Sequence, residues 1–301
     1  MRPLVVPLPG NEDLARSLAL GLDAEPCALE ARYFPDGESY VRLDGPVAGR
    51  QVILACTLDR PDAKYLRLAF TAAAARDLGA VEVGLVCPYL AYMRQDRRFR
   101  AGEAVTSTTF AEALSSWIDW LVTVDPHLHR RTSLAEIFAV PAEVVHAAPA
   151  LADWIGDSVA SPVLIGPDSE SAQWVSAVAA LAGAPFVVLD KVRRGDRDVE
   201  VSVPQLERWR RHTPVLVDDI ISTARTMIET VGHLKAAEMP SPVCLGVHGV
   251  FANDAYDALR AAGGARIVTC NTIAHESNGI DLTEPLVEAI RQFLESGARR
   301  T

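Results

Sequence analysis

Positive charge and aromatic rings are both in short supply: 29 Lys and Arg face 39 Asp and Glu for a net charge of −10, and aromatics make up 6% of the chain. That balance argues against a broad nucleic-acid footprint, which needs a basic surface with stacking rings, while leaving room for a local basic site. Long hydrophobic runs are also missing. No window reaches the roughly 18 uninterrupted apolar residues of a spanning helix, so a soluble protein with no membrane or nucleic-acid partner is expected. The opening Met1-Arg2-Pro3 and the short apolar run to Leu8 turn polar at Gly10, Asn11, Glu12 and Asp13, too early for the core of a signal peptide. Cysteines are few, odd in number and scattered, at Cys27, Cys56, Cys87, Cys244 and Cys270. Several lie inside apolar runs, which reads as buried structural thiols in a reducing cytoplasm.

What is present is apolar material in quantity. The chain has 301 residues, 49% of them hydrophobic, enough for one large or two ordinary domains with buried cores. Strand-like runs alternate with amphipathic stretches, the pattern of a parallel sheet flanked by helices, so the fold class is α/β. The strand candidates are 4–7, 52–57, 83–87, 120–124, 163–166, 186–189, 215–217, 244–247 and 267–270; helices are expected over 63–78, 106–116, 172–182, 226–237 and 284–294. Met227, Val231 and Leu234 recur at helical spacing, so that face should pack on a sheet. An internal echo joins residues 52 and 84 to residues 214 and 246, the same interval in each pair. Two related halves are therefore predicted, residues 1–146 and 147–301, joined in the Ala- and Pro-rich stretch 141–149. They differ where it matters: the second carries Asp218-Asp219 at a strand end where the first has Cys56-Thr57. One half only should bind a polyol through carboxylates.

The most informative segment runs Val215-Leu216-Val217-Asp218-Asp219-Ile220-Ile221-Ser222-Thr223-Ala224-Arg225-Thr226. It reads as an apolar strand ending in two acids, then a hydroxyl-rich turn that opens a helix. Ligands of open α/β sheets sit at such carboxyl ends, and turn amides, helix dipole and hydroxyls together cradle a phosphate. The carboxylates can accept from sugar hydroxyls or face a divalent metal. Ser and Thr are also ordinary N-caps, but adjacent acids closing an apolar strand are costly without a ligand or partner.

This segment resembles the phosphoribosyl-pyrophosphate (PRPP) binding motif, and the rest of the chain is similar to ribose-phosphate pyrophosphokinases, also called PRPP synthetases. The likeness includes Phe34-Pro35-Asp36-Gly37-Glu38, Arg94-Gln95-Asp96-Arg97, Val124-Asp125-Pro126-His127, Pro167-Asp168, Lys191-Val192-Arg193 and Asn271-Thr272-Ile273, in the family's order. The resemblance implies two phosphoribosyltransferase-like halves, each a mostly parallel sheet with helices. It also implies ATP and ribose 5-phosphate as substrates, Mg2+ as cofactor and a homo-oligomer. The rival readings are a non-catalytic regulatory homologue and a phosphoribosyltransferase that consumes PRPP.

Each match also has a physical reading. Phe34 can stack on adenine while Asp36 and Glu38 accept from its amino edge, although Pro35-Asp36-Gly37 is by itself a turn sequence. Arg94, Gln95 and Arg97 begin a basic run ending at Arg100 and suit polyphosphate. The resemblance makes His127 and Asp168 metal-linked, with ATP oxygens completing the shell; His129 is a further histidine in the same stretch. Lys191 is one of three lysines, with Lys64 and Lys235; keeping it in an arginine-rich chain points to a compact point charge. In the family Lys191 and Arg193 stabilise the transferring group, and the polar stretch 194–198 has lid character. Asp218, Asp219, Ser222, Thr223, Ala224, Arg225 and Thr226 are the expected ribose 5-phosphate contacts. The sequence departs from the family at Arg225, where glycine is usual, at Ser222, often an acid, and at Glu170, which adds negative charge beside Asp168.

Overall fold

A strand buried on both faces reads as a near-continuous apolar run, and these runs form the centres of two parallel sheets. The structure, a computed structural model, describes residues 1–128, 130–167, 171–189, 191–194, 198–201 and 206–298. The chain divides into two units, one of 1–145 with the segment from Thr283, the other of 146–282. The first contains β1 (Leu4–Pro7), α1 (Glu12–Leu22), β2 (Glu25–Pro26), β3 (Ala28–Tyr33), β4 (Ser39–Asp44), β5 (Gln51–Ala55), α2 (Pro61–Asp77), β6 (Glu82–Cys87), α3 (Thr106–Ser115), β7 (Trp120–Val124) and β8 (Ala142–Val145). The second contains α4 (Ala148–Ser158), β9 (Pro162–Gly166), α5 (Ala172–Ala182), β10 (Phe186–Val188), β11 (Lys191–Arg194), β12 (Asp198–Val201), β13 (Thr213–Ile221), α6 (Arg225–Ala236), β14 (Val243–Gly249), α7 (Ala255–Ala262), β15 (Arg266–Cys270) and β16 (Asn278–Ile280). Helix α8 (Thr283–Ala298) belongs to the first unit, whereas the sequence reading left it with the second half.

Among the described residues each unit holds one six-stranded sheet, ordered β2-β1-β5-β6-β7-β8 and β10-β9-β13-β14-β15-β16. Counted within its own unit, each order is the same, and the printed pairings are all parallel. Each unit also places an antiparallel hairpin, β3–β4 or β11–β12, between its second and third sheet strands. The echo between residues 52 and 214 thus joins the third strands of two sheets built alike. Ile53, Leu54, Leu85 and Leu121 are fully buried in one, Leu164, Val215 and Leu216 in the other; each such side chain contributes about 1.5–3 kcal/mol. The α6 face predicted from sequence is buried as expected, with Met227, Val231 and Leu234 in the core of the second unit.

Helix α8 is held to the first unit by close packing. The Trp120 ring lies stacked on Phe293, centroids 4.9 Å apart at 1°, and Arg291 donates to the Gly21 carbonyl at 2.6 Å. The indole finds room because its register partner is Gly84: a Cβ there would lie 2.0 Å from the Trp120 ring. All five cysteines are free and buried, and burial pushes the Cys56 and Cys244 thiols up to about 12. Those thiols stay protonated and unreactive.

Gly84→Ala is expected to cost about 3 kcal/mol through overpacking against Trp120, seen as a lower urea midpoint at unchanged m-value. In the native protein a thiol-reactive dye should label none of the five cysteines on the minutes timescale, and all of them in denaturant; fast native labelling contradicts this packing.

Candidate functional site

In a parallel sheet the loops that leave the carboxyl ends carry the ligand chemistry, and the expected residues that are described fall on such loops, on the strand and helix ends beside them, or on the inserted hairpins. In the first unit Phe34, Asp36 and Glu38 occupy the tip of the β3–β4 hairpin. Phe34 N–H donates to the Glu38 carbonyl at 2.8 Å, Gly37 N–H donates to the Phe34 carbonyl at 2.9 Å, and Gly37 takes φ +93°. The Asp36 carboxylate accepts from Glu38 N–H at 3.2 Å, so the turn sequence does form a turn. All three side chains are exposed. The Arg32 guanidinium lies 4.7 Å from the Phe34 ring centroid and 4.3 Å from that of Tyr40, which orients the Phe34 ring without burying it. The hairpin is moored on α2, where the Arg67 guanidinium sits 3.7 Å over the Tyr33 ring.

Arg94, Gln95 and Arg97 lie on the loop after β6, and His127 on the loop after the neighbouring β7. The structure draws these loops together: Arg130 Nη1 donates to both oxygens of the Asp96 carboxylate, only 5% exposed, at 3.0 and 3.2 Å. Gln95 is fixed to the start of α3, its side-chain carbonyl accepting from the Thr106 hydroxyl at 3.1 Å. Arg94 and Arg97 project into solvent and His127 is half-buried. Upstream, Tyr92 adopts φ +65° and its hydroxyl donates to Asp62; holding that proton raises the phenol to about 12. His129, Asp168 and Glu170 lie outside the described residues. Lys191 and Arg193 are placed as backbone only, on β11 of the β11–β12 hairpin.

In the second unit, β13 does not stop before the acids as the sequence suggests. It continues through Asp218 and Asp219 to Ile221, because β14 extends alongside it, pairing Asp218 with Gly246, Ile220 with His248 and Ile221 with Gly249. The carboxylates are therefore mounted on a central strand and held half-buried. The chain then turns through Ser222 and Thr223 into Ala224, which takes φ +56° and accepts from Ile228 N–H at 2.8 Å to start α6. That helix has no side-chain cap, leaving its first amides for a ligand. Ser222 and Thr226 are half-buried, Thr223 and Arg225 exposed.

The turn corresponding to this one in the first unit is filled by the protein itself. Asn11 accepts from Thr57 N–H at 2.8 Å, and Lys64 donates to the Thr57 carbonyl at 3.0 Å while pairing with Asp59. Sequence reasoning missed the residues that brace the second-unit turn. His248, 1% exposed, meets the Thr272 hydroxyl through Nδ1 at 3.0 Å, and that hydroxyl donates to the Val247 carbonyl at 2.9 Å. The hydroxyl has one proton, so His248 is the donor at Nδ1. The signal for it was a histidine inside the apolar run 243–247 and its continuation.

Known proteins match this arrangement along the whole chain. Residues 4–117 match the model of the N-terminal domain of ribose phosphate pyrophosphokinase, and residues 133–282 the phosphoribosyl transferase domain. The ribose-phosphate pyrophosphokinase of Methanopyrus kandleri is 35% identical over 282 residues, covering 93% of this chain and 96% of that protein. That of Methanothermobacter thermautotrophicus is 32% identical over 289 residues, covering 96% and 100%. The crystal structure of phosphoribosylpyrophosphate synthetase from Mycobacterium smegmatis superposes with a TM-score of 0.83 at 23% identity, covering 98% of this chain and all of that one, which establishes the shared fold. With both domains present in order and relatives aligned nearly end to end, the chain belongs to the ribose-phosphate pyrophosphokinase family.

Proposed function

We propose that this chain transfers the β,γ-diphosphoryl group of ATP to the C1 hydroxyl of ribose 5-phosphate, giving PRPP and AMP, as a magnesium-dependent cytoplasmic homo-oligomer. The observation that carries the reading is the end of β13, where two half-buried carboxylates run through a hydroxyl-bearing turn into a helix with no side-chain cap. Asp218 and Asp219 accept from the ribose hydroxyls. The amides and hydroxyls of Ser222, Thr223, Ala224 and Thr226 hold the 5-phosphate, with the helix dipole adding to the attraction. Arg225 stands exposed at the first position of α6, where a cation opposes the dipole by about 0.3–1 kcal/mol. A bound phosphate reverses that sign.

Phe34, Asp36 and Glu38 take the adenine, and Arg94, Gln95 and Arg97 the polyphosphate. The C1 oxygen of the ribose attacks the β-phosphorus, and the bond from that phosphorus to the oxygen bridging the α-phosphate breaks. AMP departs and the hydroxyl proton is released. Lys191 and Arg193 neutralise charge on the group in flight, a contribution of positioning and electrostatics. Among the described residues no three His, Cys, Asp or Glu side chains form a metal cage. A donor set of one imidazole and one carboxylate, His127 and Asp168, suits an ion held largely by phosphate oxygens, as magnesium is; when bound it would supply charge neutralisation of the triphosphate. The free, buried cysteines accord with a reducing compartment. Among the described residues no helix is long and apolar enough to cross a membrane.

Purified protein given Mg2+, ATP and ribose 5-phosphate should form AMP and PRPP in equal amounts; ATP binding without product, or PRPP consumption with a base, rejects the proposal. Lys191→Ala should lower kcat by about 100-fold or more while leaving the ATP dissociation constant within about threefold, and equal losses of both would remove Lys191 from the transfer step. Ala224→Gly should relieve a left-handed backbone that costs alanine about 1–2 kcal/mol. That gain is offset by the greater freedom of unfolded glycine and by loss of the Ala224 methyl, 6% exposed, so Tm is expected to stay within about 2 °C of wild type.

A further inference from the structure

We propose that Phe251 is a positioning residue for ribose 5-phosphate, orienting the phosphate-binding turn from the neighbouring strand; this rests on the reading of residues 222–226 as the phosphate cradle. Directly after β14, Phe251 N–H donates to the Ile221 carbonyl at 3.0 Å and Ala252 N–H to the Ser222 carbonyl at 3.0 Å. These two consecutive bonds, made possible by the turn after β14, tie that loop to the end of β13 and fix the peptide planes on either side of Ser222. In a planar trans peptide the carbonyl and the following N–H point opposite ways. Anchoring the carbonyls of Ile221 and Ser222 toward the β14 loop therefore directs the amides of Ser222 and Thr223 away from it, side by side, as an anion requires.

The anchor has a cost that only the phenylalanine ring explains. Phe251 sits at φ +39° and Asn253 at +56°, a backbone that a bulky side chain rarely adopts. Glycine would make the turn without strain. The ring, 8% exposed, folds back over Gly249, where a Cβ would lie 2.6 Å from it. It is enclosed by Tyr256, edge-on at 5.1 Å and 71°, and by His275, tilted at 4.6 Å and 37°. His275 is in turn fixed on the loop after β15, its Nδ1 accepting from Ser277 N–H at 3.1 Å and its own N–H donating to Asn278 Oδ1 at 3.0 Å. An aromatic box spanning the ends of β14 and β15 thereby holds the turn at the end of β13 in its binding conformation.

The test is steady-state kinetics on the full chain with both substrates varied, using Phe251→Gly, which takes the positive φ freely but lacks the ring, and His275→Ala, which keeps the ring and removes one wall of its box. The expected result is a rise in KM for ribose 5-phosphate of about tenfold or more for Phe251→Gly and about threefold for His275→Ala, each with KM for ATP within twofold of wild type. A purely structural role would lower Tm and active fraction without separating the two KM values. Equal rises for both substrates, or unchanged KM for ribose 5-phosphate, overturns the proposal; should Phe251→Gly not fold, His275→Ala decides alone. A wild-type chain that forms no PRPP overturns instead the reading of the site on which the proposal rests.

Discussion

Placing two carboxylates on the central strand of a parallel sheet is the constraint on which the second unit turns. Between β9 and β14 the strand β13 gains ladder bonds and apolar burial along Val215–Val217, and that burial fixes where Asp218 and Asp219 stand. Half-burial costs these carboxylates hydration, and Asp218 accepts from the Asp219 amide at 3.0 Å. The fold thus places negative charge at the end of β13, and the turn after it presents positive amide ends. A molecule with hydroxyls at one end and a phosphate at the other satisfies both.

The two units make the same argument by contrast. Their sheets share a strand order and both insert a hairpin at the same point, yet the equivalent strand ends differ in chemistry. In the first unit Thr57 is 4% exposed, with its amide and carbonyl bonded to Asn11 and Lys64. The protein's own side chains answer there the backbone groups that the proposed phosphate would answer in the second unit. The first unit instead offers arginines on the loop after β6, tied to the His127 loop by the ion pair of Arg130 with the buried Asp96 carboxylate.

Much of this was legible in the sequence because burial on both faces leaves a compositional mark. The central strands are runs of Val, Ile and Leu, and α6 shows its core face at Met227, Val231 and Leu234. The β3–β4 hairpin escaped notice because its strands, mostly half-buried or exposed, carry little apolar signal. The length of β13 was underestimated because Asp218 and Asp219 break the apolar run although the ladder to β14 continues. Helix α8 could not be assigned to its unit from sequence, since the stacking of Phe293 on Trp120 joins residues far apart along the chain. The braces at His248, Phe251 and His275 depend on three strand ends meeting, which spacing along one chain does not encode.

Backbone strain gathers where the ligand chemistry is expected. Eight non-glycine residues among those described take positive φ: Asp23, Tyr92, Asp125, Ser161, Ala224, Glu238, Phe251 and Asn253. Asp23 and Glu238 close helices α1 and α6, where a left-handed residue is ordinary, and Ser161 precedes β9. The other five all follow the carboxyl end of a sheet strand: β6, β7, β13 or β14. Tyr92, Phe251 and Ala224 are not residues that favour this conformation for local reasons. Each is held there by tertiary contacts: Tyr92 by Asp62, Phe251 by its aromatic box, and Ala224 by its burial at the head of α6. Strain of this kind persists only where surrounding structure over-determines it. Its concentration at the carboxyl ends of the strands of both sheets shows that tertiary contacts, and not local preference, shape the loops on which the proposed ligand chemistry rests.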